Sequence, residues 1–392
     1  MTKDFKKYDC LVAGSGFAGT VAARELAERG GKKVLLVEKR SHIGGNSYDV
    51  LDEAGVLIHK YGPHIFHTNQ ERVYTYLSRF TEWRGYQHEV AGNVYGKLIP
   101  VPFNLNSLHM VYDNEKADRL EKMLVDTYGT EKKVTILELR KNENPELAEL
   151  ADYVYKNVFQ YYTQKQWGLS PDQIDPAVTA RVPVFISRDN RYFQDAYQGI
   201  PLNGYTPLFE KMLDHPNIDI VLNTDIKDVL AFDGDSILLR GMPFEGIVIY
   251  SGAADELFDY KFGQLPYRTL DFRFETYDME WFQKYGTVNY TVDQEYTRIT
   301  EFKYLTGQIN RDKTTIMKEY PHSYTGAEGE IPYYSINNPE NDGLYEKYRE
   351  LTERFQDFHL LGRLAEYKYY NMDAIVLRAL QLADSLINKE EH

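Results

Sequence analysis

Gly14, Gly16 and Gly19 stand at the spacing G-x-G-x-x-G directly after the apolar run "CLVA", and Glu38 closes the next apolar run about twenty residues on. In this arrangement the first glycine permits a tight turn, the second lets backbone approach a pyrophosphate, and the third lets helix and strand pack closely. The helix start that follows offers free N–H groups and a positive dipole end to phosphates. An acidic residue at the position of Glu38 accepts ribose hydroxyls and repels a 2′-phosphate. The chemistry is therefore the holding of a dinucleotide.

Other residues could act on what is held. His64 and His67 lie three apart in "YGPHIFHT". Imidazoles titrate near neutrality and can hydrogen-bond a redox cofactor; a metal pair is the other reading, and the lack of a companion cysteine or nearby acidic ligand speaks against it. Lys and Arg total 45 against 59 Asp and Glu, a net charge of −14, which opposes attraction to nucleic acid or anionic membrane. An anionic ligand must then be met by a few placed arginines, whose planar fork matches phosphate oxygens. The 33 tyrosines suit walls that are apolar on one side and wet on the other. The single cysteine, Cys10, sits in an apolar strand pattern and is expected to be a buried thiol.

These residues need elements to place them. At 392 residues two or three domains are expected, since single cores stop growing at about 250–300 residues. Tyr8 to about Thr68 is dense in short β runs and glycine, as an α/β nucleotide-binding unit should be. From Glu71 the period becomes helical; Leu147, Leu150, Val154, Val158 and Tyr161 share one face, with Asn144 and Pro145 as a start signal. Strand signals return after Asn217, and from Tyr267 the alternating segments "YRTLDFRFETY", "TVNYTVD", "YTRITEFKYL" and "TTIMKEYP" predict an antiparallel sheet. The end of the chain reads as a strand, a loop and an amphipathic helix capped by Asn371 or Asp373. No apolar stretch approaches the roughly 18 residues that cross a bilayer. The opening residues "MTKDFKKYD" carry no apolar signal run, so a cytoplasmic protein is expected.

The second glycine pair, Gly44 and Gly45 in "KRSHIGGNSYD", resembles FAD proteins of the amine-oxidase type more than nicotinamide dehydrogenases. Further segments sharpen the likeness: "GGNSYD", "YGPHIFHT", "YTQKQWG", "YQGIPLNGYTPLFEKML", "YTRITEFKY", "IPYYSI" and "GRLAEYKYYNMD". Together these resemble the bacterial UDP-galactopyranose mutases, from the first strand to the last helix. The resemblance implies an FAD enzyme that interconverts UDP-galactopyranose and UDP-galactofuranose by ring contraction with no net redox change. The flavin is then used reduced, its N5 attacking the anomeric carbon as a nucleophile through a flavin–sugar iminium.

The same resemblance implies roles for residues. Arg181 and Arg298 meet the diphosphate, together with the hydroxyls of Tyr192, Tyr334 and Tyr369. Tyr162 stacks on uracil, Trp167 lines the sugar pocket, and Asn289 lies near the substrate. His64 and His67 flank the flavin ring, which Arg363 and Met372 also contact. Gly14, Gly16, Phe17, Gly19, Glu38, Lys39, Gly45 and Asn46 hold the rest of FAD. Phe185 stands where relatives often carry arginine, with Arg188 and Arg191 following, and Asn371 where aspartate is common.

The implied architecture is an α/β Rossmann-like FAD-binding domain (1–75, 208–262 and 336–392), an inserted helical-bundle domain (76–175), and an antiparallel β-sheet domain with a mobile substrate loop (176–207 and 263–335). Expected partners are the nucleotide sugar, a reductant such as NAD(P)H or a reductase, and further copies of the chain as a homo-oligomer. The implied role is to supply galactofuranose for cell-surface glycans. The first forty residues alone would favour another class, an amine-oxidase-like FAD oxidoreductase acting on an amine or alcohol. A non-catalytic FAD scaffold is the third reading, and it leaves the two arginines without a purpose.

Overall fold

The computed structural model describes residues 7–168 and 183–389. Five parallel strands form one sheet in the order Ile218–Val221, Val34–Val37, Cys10–Ala13, Ile247–Tyr250, Phe358–Leu360. Runs such as "CLVA", "VLLV" and "IVIY" are apolar at every position because both faces of a parallel sheet are covered. Cys10, Val12, Val34 and Leu36 face one core, closed by the helices Phe17–Glu28 and Met372–Lys389. Leu11, Ala13, Leu35 and Val37 face another, where Leu230, Ile237 and Leu239 come from a small antiparallel sheet. Cys10 is the buried thiol expected of it.

A seven-stranded sheet runs Tyr334–Ser335, Tyr267–Tyr277, Thr314–Ser323, Arg298–Glu301, Thr287–Tyr290, Val90–Val94, Lys97–Val101. Its neighbours are antiparallel except for Thr287–Tyr290 against Val90–Val94, which run parallel. The last two strands come from a segment expected to be helical. The sequence "VAGNVYGKLIPV" is a hairpin: Tyr95 and Gly96 both take positive φ, 50° and 87°, as a two-residue turn matched to strand twist requires.

The helical part is Leu105–Val111, Asn114–Tyr128, Ile136–Leu139, Pro145–Val154 and Tyr161–Trp167. It shares a core that includes Leu120, Leu124, Leu147, Leu150 and Val154. Asn144 accepts from the backbone N–H groups of Glu146 and Leu147, with Pro145 at the first helical position, as its start signal predicts.

The segment 183–201, expected to belong with the large sheet, pairs elsewhere. Pro183–Ile186 joins Lys132–Thr135 beside the helices, and Tyr197–Pro201 joins Phe66–Thr68 and Trp83–Gly85. "PVFI" is apolar at every position and buries whole, with Phe185 in the core and the Lys133 ammonium over its ring. Among the described residues no helix is long and apolar enough to cross a membrane.

Candidate active site

At Gly19 and Gly45 the fold leaves no room for a side chain. A Cβ on Gly19 would stand 2.0 Å from the Gly14 carbonyl oxygen, and one on Gly45 would stand 2.8 Å from the Gly16 Cα. The helix Phe17–Glu28 starts at Gly16 with no side-chain cap and no acidic residue in its first turn. Its free N–H groups and bare backbone suit a pyrophosphate. Glu38 is buried; one oxygen accepts from the Ser15 N–H (2.8 Å) and hydroxyl (2.6 Å), the other from the Arg40 N–H (2.9 Å). This cradle fits the adenosine diphosphate half of a dinucleotide.

Three expected cofactor residues differ in what they offer. The Phe17 ring is core, 4.7 Å from the Phe209 ring, so only its backbone reaches the helix start. The Lys39 ammonium turns outward to Glu256 (2.6 Å) and Asp225 (3.3 Å). Asn46 accepts from the Arg40 guanidinium at 2.9 Å, which fixes the turn after Gly45.

His64 places Nδ1 2.8 Å from the Gly62 carbonyl, so Nδ1 carries the proton and Nε2 is the acceptor. Burial, with His59 and Arg363 nearby, lowers its pKa to about 3, so the ring is neutral. Arg363 donates Nε to the Tyr370 carbonyl (2.6 Å) and lies over the Tyr369 ring at 4.6 Å. His67 is held differently: its Nδ1 meets Asp195 at 2.9 Å and its ring stacks on Phe193 with centroids 3.6 Å apart. Among the described residues no His, Cys, Asp and Glu cluster could hold a metal. Met372 opens the last helix, tied to the histidine strand by a Thr68 to Asp373 hydrogen bond of 2.9 Å.

On the large sheet Asn289, Arg298 and Glu319 are register partners on three adjacent strands. Arg298 donates Nη2 to the Tyr162 hydroxyl, and its Nε lies 3.4 Å from Glu319. Burial alone would lower the Arg298 pKa, but Glu319 and the hydroxyls of Tyr162 and Tyr334 hold it well above its ordinary value. Burial raises the Glu319 carboxyl and Arg298 opposes that rise. Arg298 Nε, Asn289 Oδ1 and Glu319 Oε1 are buried without a hydrogen-bond partner among the described residues, which leaves capacity for a polar ligand.

Aromatic rings close the other side. Trp167 meets Tyr334 at 5.7 Å between centroids, and Tyr334 stacks on Tyr369 at 6.0 Å. Burial raises the Tyr334 hydroxyl, which therefore stays protonated and able to donate. Tyr192 lies farther along, its N–H donating to the His88 carbonyl at 2.7 Å. Arg181 lies outside the described residues. Arg188 and Arg191 are occupied elsewhere, by Glu121 and Asp189.

Two residues were missed by sequence reasoning. Glu319 lay inside a strand pattern, where an acidic residue reads as solvent-facing. His88 is buried, pushed to about 3 by burial with Arg298 and His67 adding, so its ring is neutral. Its signal was the alternation Tyr86, His88, Val90, which runs into the first strand of the hairpin.

A family model described as UDP-galactopyranose mutase matches residues 157–369, and one for an NAD(P)-binding Rossmann-like domain matches residues 12–80. The chain is 35% identical to a UDP-galactopyranose mutase of Mycoplasma pneumoniae, over 98% of this chain and 97% of that one. It is also 35% identical to a dTDP-fucopyranose mutase of Escherichia coli, over 97% and 99%. A crystal structure of a reduced UDP-galactopyranose mutase superposes with a TM-score of 0.70 at 16% identity, covering 97% of this chain and 94% of that one. Cyclohexylamine oxidase from Brevibacterium oxydans gives 0.57 at 13%, covering 98% and 100%, a likeness of fold alone. The chain belongs to the UDP-galactopyranose mutase family and is a sugar-ring isomerase.

Proposed function

We propose that the protein interconverts UDP-galactopyranose and UDP-galactofuranose with bound, reduced FAD. The observation that carries this reading is the placement of Arg298 among Asn289, Tyr162 and Glu319, with buried polar atoms that have no hydrogen-bond partner among the described residues. When bound and reduced, the flavin supplies a nucleophilic nitrogen, N5, for the anomeric carbon.

The chain's own residues do the rest. Gly14, Gly16, Gly19, Gly45 and Glu38 hold the dinucleotide, while neutral His64, Arg363 and Met372 stand at its ring end. Arg298 pairs with diphosphate oxygens and stabilises the charge that grows as UDP leaves, which is worth most in a water-excluded site. Arg181 is its partner in that task. Tyr334, Tyr369 and Tyr192 donate hydroxyls to the same group. Tyr162 packs on the base, and Trp167 and Asn289 bound the sugar and keep water from it. Reduction by NAD(P)H or a reductase precedes turnover, in a cytoplasmic homo-oligomer that supplies surface glycans.

The dTDP-fucopyranose mutase relative favours a second substrate with the same requirements, a thymidine diphosphate hexose. The test incubates the protein with UDP-galactofuranose and, separately, dTDP-fucopyranose, with and without dithionite, and follows both ring forms by chromatography. Conversion of the galactose substrate only under reduction is expected. Equal, negligible conversion in both conditions would sink the proposal, and turnover of the fucose substrate alone would reassign the sugar.

A further inference from the structure

The helix Tyr161–Trp167 carries Tyr162 and Trp167 and is the last stretch of a continuous helical run that begins at Pro145. It is entered through a π-helical turn, Tyr155–Gln160, a widening that recurs where functional side chains are re-aimed. Two cations fasten its far end. Lys165 Nζ donates to the carbonyls of Tyr290 (2.6 Å), Gln294 (2.8 Å) and Tyr296 (3.3 Å), all in the passage that leads into Arg298. Arg268, only 5% exposed, donates Nε to the Gln166 carbonyl (3.0 Å), Nη2 to the Lys165 carbonyl (3.0 Å) and Nη1 to the Ser323 hydroxyl (3.1 Å).

None of these six acceptors is a carboxylate. Arg268 instead caps the last carbonyls of the helix, where the backbone dipole is negative. Burial lowers both cations, Lys165 to about 8, so neither is an ordinary surface charge. Gly168 completes the fit: its φ is +68°, and a Cβ there would stand 2.8 Å from Arg268 Nη1. Arg268 is also the register partner of Tyr334, whose ring meets Trp167.

We infer that Lys165 and Arg268 are positioning residues that clamp the Tyr162–Trp167 helix to the large sheet and so set the spacing of the nucleotide-diphosphate site. Lys165 couples the helix to the passage ending at Arg298, which in turn bonds Tyr162. Arg268 couples it to the strand beside Tyr334. Four groups from three segments are thereby held in one arrangement before any nucleotide arrives, which lowers the cost of ordering them on binding. This inference rests on the nucleotide-sugar reading of the site.

The test is titration of UDP into the flavin-loaded protein by calorimetry, alongside flavin content, melting temperature, KM and kcat. Lys165→Met keeps the aliphatic stem and removes the donors. Arg268→Lys keeps the charge without the three-way fork. Gly168→Ala presses on the guanidinium from the exposed end of the helix, and it decides the matter if either of the other two variants fails to fold. Each is expected to raise the UDP Kd about tenfold or more, with flavin content unchanged and KM rising more than kcat falls. Wild-type UDP affinity in the folded variants would overturn the clamp, as would a loss of UDP binding that only tracks loss of flavin. Failure of the unmodified protein to bind UDP would strike the nucleotide-sugar reading instead.

Discussion

The dinucleotide cradle and the substrate end are built on opposite principles. The cradle is local: residues 10 to 46 supply turn, helix, second strand and second glycine pair, and its specificity lies in atoms that are absent. The proposed substrate end is assembled from distant segments at 162–167, 289–298, 319, 334 and 369, and its specificity would lie in side chains that support each other. A backbone cradle tolerates almost no added atom, whereas a side-chain assembly loses function by degrees according to which member is removed.

The sharpest way to break the cradle is Gly19→Ala. With a Cβ 2.0 Å from a backbone oxygen, helix and strand must separate, and flavin binding and cooperative melting should both be lost. Retention of bound flavin, read from its visible absorbance, would show the contact to be relaxable. Arg298→Ala should leave flavin bound but cut kcat by about 100-fold or more, the scale for removing a donor to developing charge. Glu319→Gln should cost less, about tenfold in kcat/KM, because the amide keeps the shape while losing the charge that faces Arg298. If Glu319→Gln proves as damaging as Arg298→Ala, the carboxylate itself takes part in the chemistry.

Acid should weaken the fold through its buried histidines. His59 and His88 sit at about 4 and about 3 in the fold, against about 6.5 when unfolded. Between those values the unfolded chain binds more protons. Stability is therefore full above about pH 6.5 and falls as pH drops, by up to about 1.4 kcal/mol per unit for each ring. Urea midpoints at pH 7, 6, 5 and 4 should show a shallower decline for His88→Asn; an identical decline would mean His88 is not the group being protonated. The smallest effect belongs to Lys39→Ala. Its ammonium is exposed and paired with Glu256, so flavin affinity should hold and stability should change by less than about 1 kcal/mol.

The cradle was legible because its signals are contiguous. Glycine spacing, an apolar run and an acidic residue at the right distance leave few other structures. The helix at Pro145 was equally plain from its cap. The hairpin at Tyr95 and Gly96 was not, since that turn is short and lies between stretches with helical periodicity. Glu319 and His88 were invisible for a related reason: strand alternation predicts which face a residue takes, and only the packed fold shows that this face is an interior one. Phe17 and Lys39 show a different limit, because membership of a cofactor motif does not say whether the backbone or the side chain serves it.

The parallel sheet also sets an order of events during synthesis. Its central strand, Cys10–Ala13, pairs with Val34–Val37 early, but Ile247–Tyr250 and the edge strand Phe358–Leu360 leave the ribosome hundreds of residues later. Closing such long loops is slow. The first half of the cradle must therefore wait, apolar on both faces, while the helical part and much of the large sheet are made. A nascent chain stopped before the Phe358–Leu360 strand would lack the sheet's edge and the Met372 helix together, so the parallel sheet is complete only long after its central pair has been made.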